Sequence, residues 1–300
     1  MQHVNSSNSS VSTHSLPENL VASGVLGMCF ALGVPGNIAV LVLLPGWLKG
    51  GTFTPRLMRS LAVSDLMTLL PLPVWIWALL NGWVFGLFLC KFLSYVVYWN
   101  IYCSVLCVTS LSMQRYMQVL HTQTWAKLRQ RGQHRLVTGI WCLSAILASY
   151  TLIQRSVKSE EDGKLHCTQH YSSDIERVTT LLLETLVLFG LPFPLLVYFY
   201  CRLHQGVKHS TFFNSHRMTN LVARIVVTFF ILWIPTHISN IVLAAAVLLG
   251  HDGLLWFGKA VRNIAGALTF ISSCVNPLLY AFSAQVLWQS GAFGGKFFLF

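Results

Sequence analysis

The chain has 300 residues, 54% hydrophobic and only 10% charged, with a mean hydropathy of +0.61. A soluble domain carries about a quarter charged residues, so this composition excludes a water-soluble globule and makes a bilayer the solvent. The net charge of +11 does not mark a nucleic-acid binder, because of where the charges fall. Lys49, Arg56, Arg59, Arg115, Lys127, Arg129, Arg131, Arg135, Arg202, Lys208, Arg217, Arg224 and Lys296 occupy segments that hold no acid. Glu18, Glu160, Glu161, Asp162, Asp174, Glu176 and Asp252 lie in the opposite set. The Lys/Arg excess assigns the first face to the cytoplasm. The two remaining acids, Asp65 and Glu184, fall inside apolar spans.

In chain order, residues 1–17 form a polar, Ser/Asn-rich extracellular tail without the basic and apolar regions of a signal peptide, so the first span is expected to act as the insertion signal. Asn5-Ser6-Ser7 and Asn8-Ser9-Ser10 are glycosylation sequons that suit an outer end. Residues 18–282 contain seven spans, expected at about 18–46, 54–80, 88–120, 135–155, 176–206, 218–249 and 256–282. The third organises the rest. Its stretch from Phe92 to Gln114 is uncharged between Lys91 and Arg115, and at 1.5 Å per residue it reaches about 35 Å, enough for a hydrocarbon core of ~30 Å.

Pro71 and Pro73 should kink the second span, and the fifth is a helix that contains Pro192, Pro194 and one buried acid, Glu184. The fourth is built around Trp141, and residues 156–174 read as a hydrophilic outer loop. The sixth holds Trp233-Ile234-Pro235 and the seventh ends in Asn276-Pro277-Leu-Leu-Tyr280. Seven crossings from an outer N-terminus leave residues 283–300 in the cytoplasm, where Val286, Leu287, Trp288, Phe293 and Phe297 could lie along the inner surface as a short amphipathic helix.

Among eight cysteines, Cys29, Cys103, Cys107, Cys142 and Cys274 sit in apolar spans, where thiols behave as small hydrophobes. Cys90 and Cys167 alone fall on the outer side, so an oxidising compartment predicts a Cys90–Cys167 disulfide. His166-Cys167-x2-His170 has a metal-like spacing, but its cysteine is already committed to that bond.

These marks together resemble a known family. Asn37, the Leu61-Ala-Val-Ser-Asp65 run, Cys90, Arg115-Tyr116, Trp141, Cys167, Pro192 with Tyr200, Phe229-x3-Trp233-x-Pro235 and Asn276-Pro277-x2-Tyr280 are similar to the rhodopsin-like G-protein-coupled receptors, in order and over nearly the whole chain. The resemblance implies an all-α seven-transmembrane bundle in the plasma membrane, not an enzyme, reading a ligand outside and engaging a heterotrimeric G protein, inhibitory type first, and arrestin inside. Gln114 stands where the family usually has an acid beside Arg115, which implies a less restrained switch with some basal activity. Leu232 replaces a cysteine, and no lysine lies between Asn263 and Phe282, so a retinal Schiff base is excluded.

Asp65, near the midplane, needs partners, since a bare charge there costs at least ~2.5–3.5 kcal/mol. The resemblance places Ser104, Ser273 and Asn276 beside it as an allosteric sodium site; the alternative is a protonated, hydrogen-bonded acid without an ion. Arg115 is expected to swing to Tyr200 and Tyr280 when the sixth span moves, with Phe229, Trp233, Pro235, Asn276 and Pro277 in the switch; the plainer reading is a snorkelling positive-inside residue.

Arg155, Arg177 and Arg262, joined by Lys91 and Lys259, belong near the extracellular mouth. Below them Trp75, Tyr95, Tyr98, Trp99, Phe189, Trp233 and Phe270 line a shaft with Glu184, Thr236, His237 and Asn240 as sparse polar groups. A guanidinium rim over an apolar shaft suits an amphiphile with an acid head and a long tail; the alternative is arginines that snorkel to headgroups or pair with nearby acids. Arg155, Arg177, Glu184, Asn240 and Arg262-Asn263, with Leu183-Glu-Thr-Leu186 and Phe270-Ile-Ser-Ser-Cys-Val-Asn-Pro277, are similar to the leukotriene B4 receptors. Ser94 stands where one subtype has histidine, so subtype stays open. The implied function is leukotriene B4 reception in chemotaxis and inflammation; another oxidised fatty acid or a chemoattractant peptide with a free carboxylate is the alternative. A carrier would show internal repeats, and an enzyme a nucleophile–base pair.

Overall fold

The computed structural model describes residues 15–47, 53–126, 130–159, 163–207 and 213–289. Its helices are α1 (Ser15–Trp47), α2 (Phe53–Leu69), α3 (Leu72–Asn81), α4 (Gly86–Leu120), α5 (Thr122–Ala126), α6 (Gln130–Ala148), α7 (Thr151–Gln154), α8 (Asp174–Thr185), α9 (Pro192–Val207), α10 (Phe213–Leu249) and α11 (Asp252–Gln289). They make seven passages. Six described stretches are long and apolar enough to cross a membrane, and α11 packs as the seventh between α1 and α10. Asn5, Asn8 and residues 290–300 lie outside the described residues, and α11 runs unbroken from the seventh span to Gln289.

Proline chemistry sets the interruptions. The second passage is divided at Leu70–Pro71, where Pro71 offers no N–H and α3 restarts behind it. In the fifth, a π turn over Leu186–Gly190 is closed by Leu191 N donating to Leu186 O at 2.8 Å, immediately before Pro192 opens α9. Pro235 and Pro277 are accommodated inside α10 and α11.

Large apolar side chains such as Leu32, Val42, Phe88, Ile146 and Ile153 are exposed on the outside, while Asn37, Ser64, Asp65, Asn100, Gln114 and Asn276 are buried. That inversion is what a lipid solvent requires: lipid tails accept leucine, and the bundle is held by close packing and interhelical hydrogen bonds. α4 is the axis, touching α2, α5, α6, α7, α9, α10 and the outer hairpin. Around it Leu61, Cys103, Cys107, Leu111, Ile140, Phe229 and Trp233 form the main core, with Trp125 of the short inner helix α5 packed against its edge.

Polar ties staple this core. Asn37 Nδ2 donates to Ser273 O at 2.9 Å, joining α1 to α11. Trp141 Nε1 donates to Ser60 Oγ at 2.7 Å, and Ser64 Oγ donates to Asn100 O at 2.8 Å. Each such bond contributes about 0.6 kcal/mol in a membrane. Close approach does as much: a Cβ on Gly36 would stand 3.0 Å from Pro277 Cβ and 3.2 Å from its Cγ. Gly36→Val is therefore expected to push α1 off the rigid proline ring, costing about 1–3 kcal/mol and lowering the melting temperature of the detergent-purified protein by several degrees; an unchanged melt would show that the ring yields.

The sequence reads residues 156–174 as a hydrophilic outer loop, and the structure gives that connection a regular element. Arg155–Ser159 (β1) and Leu165–Gln169 (β2) pair antiparallel, with Arg155 opposite Gln169 and Val157 opposite Cys167. The helix thus ends at Gln154, and Arg155 opens a strand. Gly163 takes a left-handed φ of +74° before β2. Cys167 is joined to Cys90 as expected. Trp83 N donates to Leu165 O at 2.6 Å, and the Gly82 backbone approaches so near that a Cβ would stand 3.0 Å from Lys164 Cβ. The hairpin is thereby seated across the outer end of the bundle.

Candidate functional site

Residues directly opposite in an antiparallel pair share a face, and alternate residues on one strand do too. Arg155, Val157, Cys167 and Gln169 therefore lie on the same side of the hairpin. Val157 and Cys167 pack with Cys90, Ala78 and Trp83. Arg155 and Gln169 stand at the other end of that face, where Gln169 meets α4, α7 and α11.

There the predicted residues come together around one the sequence did not single out. Arg262 Nη2 donates to Gln169 Oε1 at 2.6 Å, and Tyr171 Oη donates to the same oxygen at 3.0 Å. Gln169 Nε2 donates to Tyr98 Oη at 3.2 Å and reaches Gln154 Oε1 at 3.5 Å. Arg155 Nη1 donates to Cys167 O at 3.4 Å, with its guanidinium 5.9 Å from the Tyr98 ring centroid. Arg177 sits 5.9 Å from the centre of the Tyr171 ring, a cation–π contact on the far side of the cluster. Glu184 is within electrostatic reach of Arg262 and Arg155. Lys91 is half-buried and Lys259 exposed.

Deeper in, His237 is only 2% exposed, stacked on Trp233 and tilted against Phe189, and neither ring nitrogen has a hydrogen-bond partner. Asn240 Nδ2 donates to Thr185 Oγ1 at 3.4 Å while its Oδ1 is unpartnered. A buried polar atom without a partner costs about 1–3 kcal/mol, so these groups favour an occupant that hydrogen-bonds. Two predicted residues point elsewhere. Ser94 is buried beneath the disulfide, its Oγ 3.9 Å from Cys167 Sγ, and Thr236 Oγ1 donates to Ala265 O at 3.0 Å. The side chain of Asn263 lies outside the described residues.

Below the shaft, Trp233 stacks on Phe229 with centroids 4.9 Å apart, and its Nε1 donates to Ser272 Oγ at 3.4 Å. Under that ring a cavity of about 10 Å³ is lined by Thr68, Ile101, Ser104, Trp233, Thr269, Phe270, Ser272 and Ser273, room for one water-sized occupant. Asp65 is buried beside it and accepts from Asn276 Nδ2 at 2.8 Å. At the inner end Arg115 is half-buried next to fully buried Gln114. Tyr200 lines a small cavity with Ser112, Leu196, Phe199, Leu203, Ala223 and Val226 between α4, α9 and α10. The side chain of Tyr280 lies outside the described residues.

Seven membrane passages, a disulfide-pinned outer hairpin tied to a polar cluster and a proline-bearing sixth passage are the frame of a transmembrane receptor. Residues 36–280 match the 7 transmembrane receptor (rhodopsin family), and the chain belongs to that family. It is therefore a multi-pass plasma-membrane protein, a G-protein-coupled receptor and not an enzyme. It is 34% identical to human leukotriene B4 receptor 1 over 92% of this chain and 80% of that receptor. It is 32% identical to zebrafish apelin receptor B over 85% of this chain and 77% of that one, and 29% identical to mouse C-C chemokine receptor type 8 over 85% and 74%.

Proposed function

We propose that the chain is a receptor for an anionic lipid mediator, leukotriene B4 first, signalling through inhibitory-type heterotrimeric G proteins in chemoattraction. The observation that carries this reading is the convergence of Arg262, Arg155 and Tyr98 at the outer end of the bundle within electrostatic reach of Glu184. The arginines receive the carboxylate. Glu184 and Asn240 Oδ1, the latter without a protein donor, accept from hydroxyls along the tail. The relative named as a leukotriene B4 receptor agrees with it. A peptide with a free carboxylate is the second reading, favoured by the relatives named for apelin and for a C-C chemokine. Competition of labelled leukotriene B4 on membranes decides: binding that weakens about tenfold in Arg155→Ala and in Glu184→Gln supports the lipid, and no specific binding by a receptor present at the surface overturns it.

The switch follows from the same frame. A ligand that prefers the state with Trp233 displaced biases the Pro235 region of α10, and Arg115 moves toward Tyr200 and Tyr280 to open the inner face for a G protein or arrestin. Asp65, Ser104, Ser273 and Asn276 are assigned to a sodium ion that stabilises the resting state, supported by the small cavity at Ser104 and Ser273. Sodium is then expected to lower agonist affinity several-fold in the wild type and to have no effect in Asp65→Asn. Equal sodium dependence in both, measured with potassium as control, removes the ion from the scheme. Asn5 and Asn8 are assigned as glycosylated tail positions.

A further inference from the structure

We propose that Gln169 is a built-in occupant of the anion site: its carboxamide holds Arg262 in the unliganded receptor, and an acidic ligand enters by displacing it. This rests on reading Arg262 as the carboxylate anchor.

Two donors, Arg262 Nη2 at 2.6 Å and Tyr171 Oη at 3.0 Å, converge on the single carbonyl oxygen of Gln169. One oxygen of a ligand carboxylate would demand the same arrangement. The other end of the carboxamide is a donor, and it meets acceptors: Tyr98 Oη at 3.2 Å and Gln154 Oε1 at 3.5 Å. A glutamine satisfies both ends at once. The side chain is delivered by rigid backbone, two residues from the Cys167 disulfide and directly opposite Arg155 in the hairpin. His170 N closes that strand end by donating to Gln154 O at 2.8 Å.

The chemistry makes the contact reversible. A guanidinium–amide bond is charged on one side only, whereas a guanidinium–carboxylate pair is charged on both and can be bidentate, so an acid displaces the amide while a neutral lipid of the same shape gains nothing at Arg262. Gln169 therefore lowers affinity for every ligand and sharpens the preference for acids, since the competent fraction of receptors scales the apparent affinity.

The test uses labelled leukotriene B4 on full-length receptor carrying Gln169→Leu or Gln169→Glu. In Gln169→Leu the affinity is expected to rise about fivefold, through faster association. In Gln169→Glu a tethered carboxylate competes at high effective concentration, and affinity falls at least about tenfold. Weaker binding in Gln169→Leu would overturn the proposal, because it would make Gln169 a ligand contact or a mere hairpin brace. A second readout needs no ligand: amide hydrogen exchange over residues 165–171 in the unliganded receptor. Gln169→Leu and Arg262→Leu should each raise exchange, with the double variant no faster than either single one. Unchanged exchange in Arg262→Leu sinks the latch, whereas raised exchange in a receptor that fails to bind leukotriene B4 keeps the latch and rejects only the ligand.

Discussion

Arg262→Ala is expected to lower leukotriene B4 affinity about a hundredfold, about 2.7 kcal/mol, the largest effect of any single change at the cavity. Two terms add. The ligand carboxylate loses a charge-assisted, potentially bidentate partner, and Glu184 loses one of the two cations acting on it, so the negative potential in the shaft rises against an anion. Arg262→Lys separates them. It keeps the charge near Glu184 but not the planar fork that also reaches Gln169, so its affinity should fall about tenfold, between wild type and alanine. Saturation binding, normalised to surface receptor, reads both variants. Wild-type affinity in Arg262→Ala would move the carboxylate to Arg155, and with it the orientation of the whole ligand.

The passages were legible because lipid imposes one rule on every span and because several carry a mark that makes an interhelical tie. Asn37 reaches Ser273 O, Trp141 reaches Ser60, and Asn276 reaches Asp65. A residue type whose purpose is to bond across helices can be read one span at a time. The breaks were only half legible. Proline announces an interruption, but whether the chain restarts as at Leu72 or absorbs the strain in a π turn as at Leu186–Gly190 depends on neighbouring helices. The hairpin was hidden because its strands are five residues each and polar on one face, and pairing is a non-local event.

The site was legible where charge carried it and illegible where a neutral group did. A search for cations and acids finds Arg155, Arg262 and Glu184 and passes over Gln169, Gln154 and Tyr171. The missed signal was parity: with Cys167 fixed to α4, the next residue on the same strand face is Gln169. The placement of Ser94 follows from the matching rule in a helix. Ser94 is four residues after Cys90, so it shares the face that holds the disulfide, and the turn below, at Tyr98, is the first to meet the cavity cluster. Thr236 shows a further limit, since its hydroxyl is consumed by Ala265 O and no spacing rule announces that.

Cys90→Ser is the second large effect, and its physics is distinct from Arg262. The bond closes a separation of 77 residues, and for a fully unfolded chain that constraint would contribute about 4 kcal/mol. In a bilayer the helices stay inserted, so the loss is local: the hairpin detaches from the top of α4. What it then releases is the cluster itself, because Gln169, Tyr171 and the carbonyl of Cys167 are all held by the strand that carries the bond. The expected result is a fall in melting temperature of several degrees together with loss of most ligand binding, about thirtyfold in affinity if half of that 4 kcal/mol is felt at the site. Cys167→Ser should match it, and the double variant should be no worse than either single one, since both remove the same bond. Raised hydrogen exchange confined to 155–171, with the inner ends of α4 and α10 unchanged, would place the damage at the outer hairpin. A variant that binds normally would mean that Trp83 N on Leu165 O and the Gly82 contact seat the hairpin without covalent help.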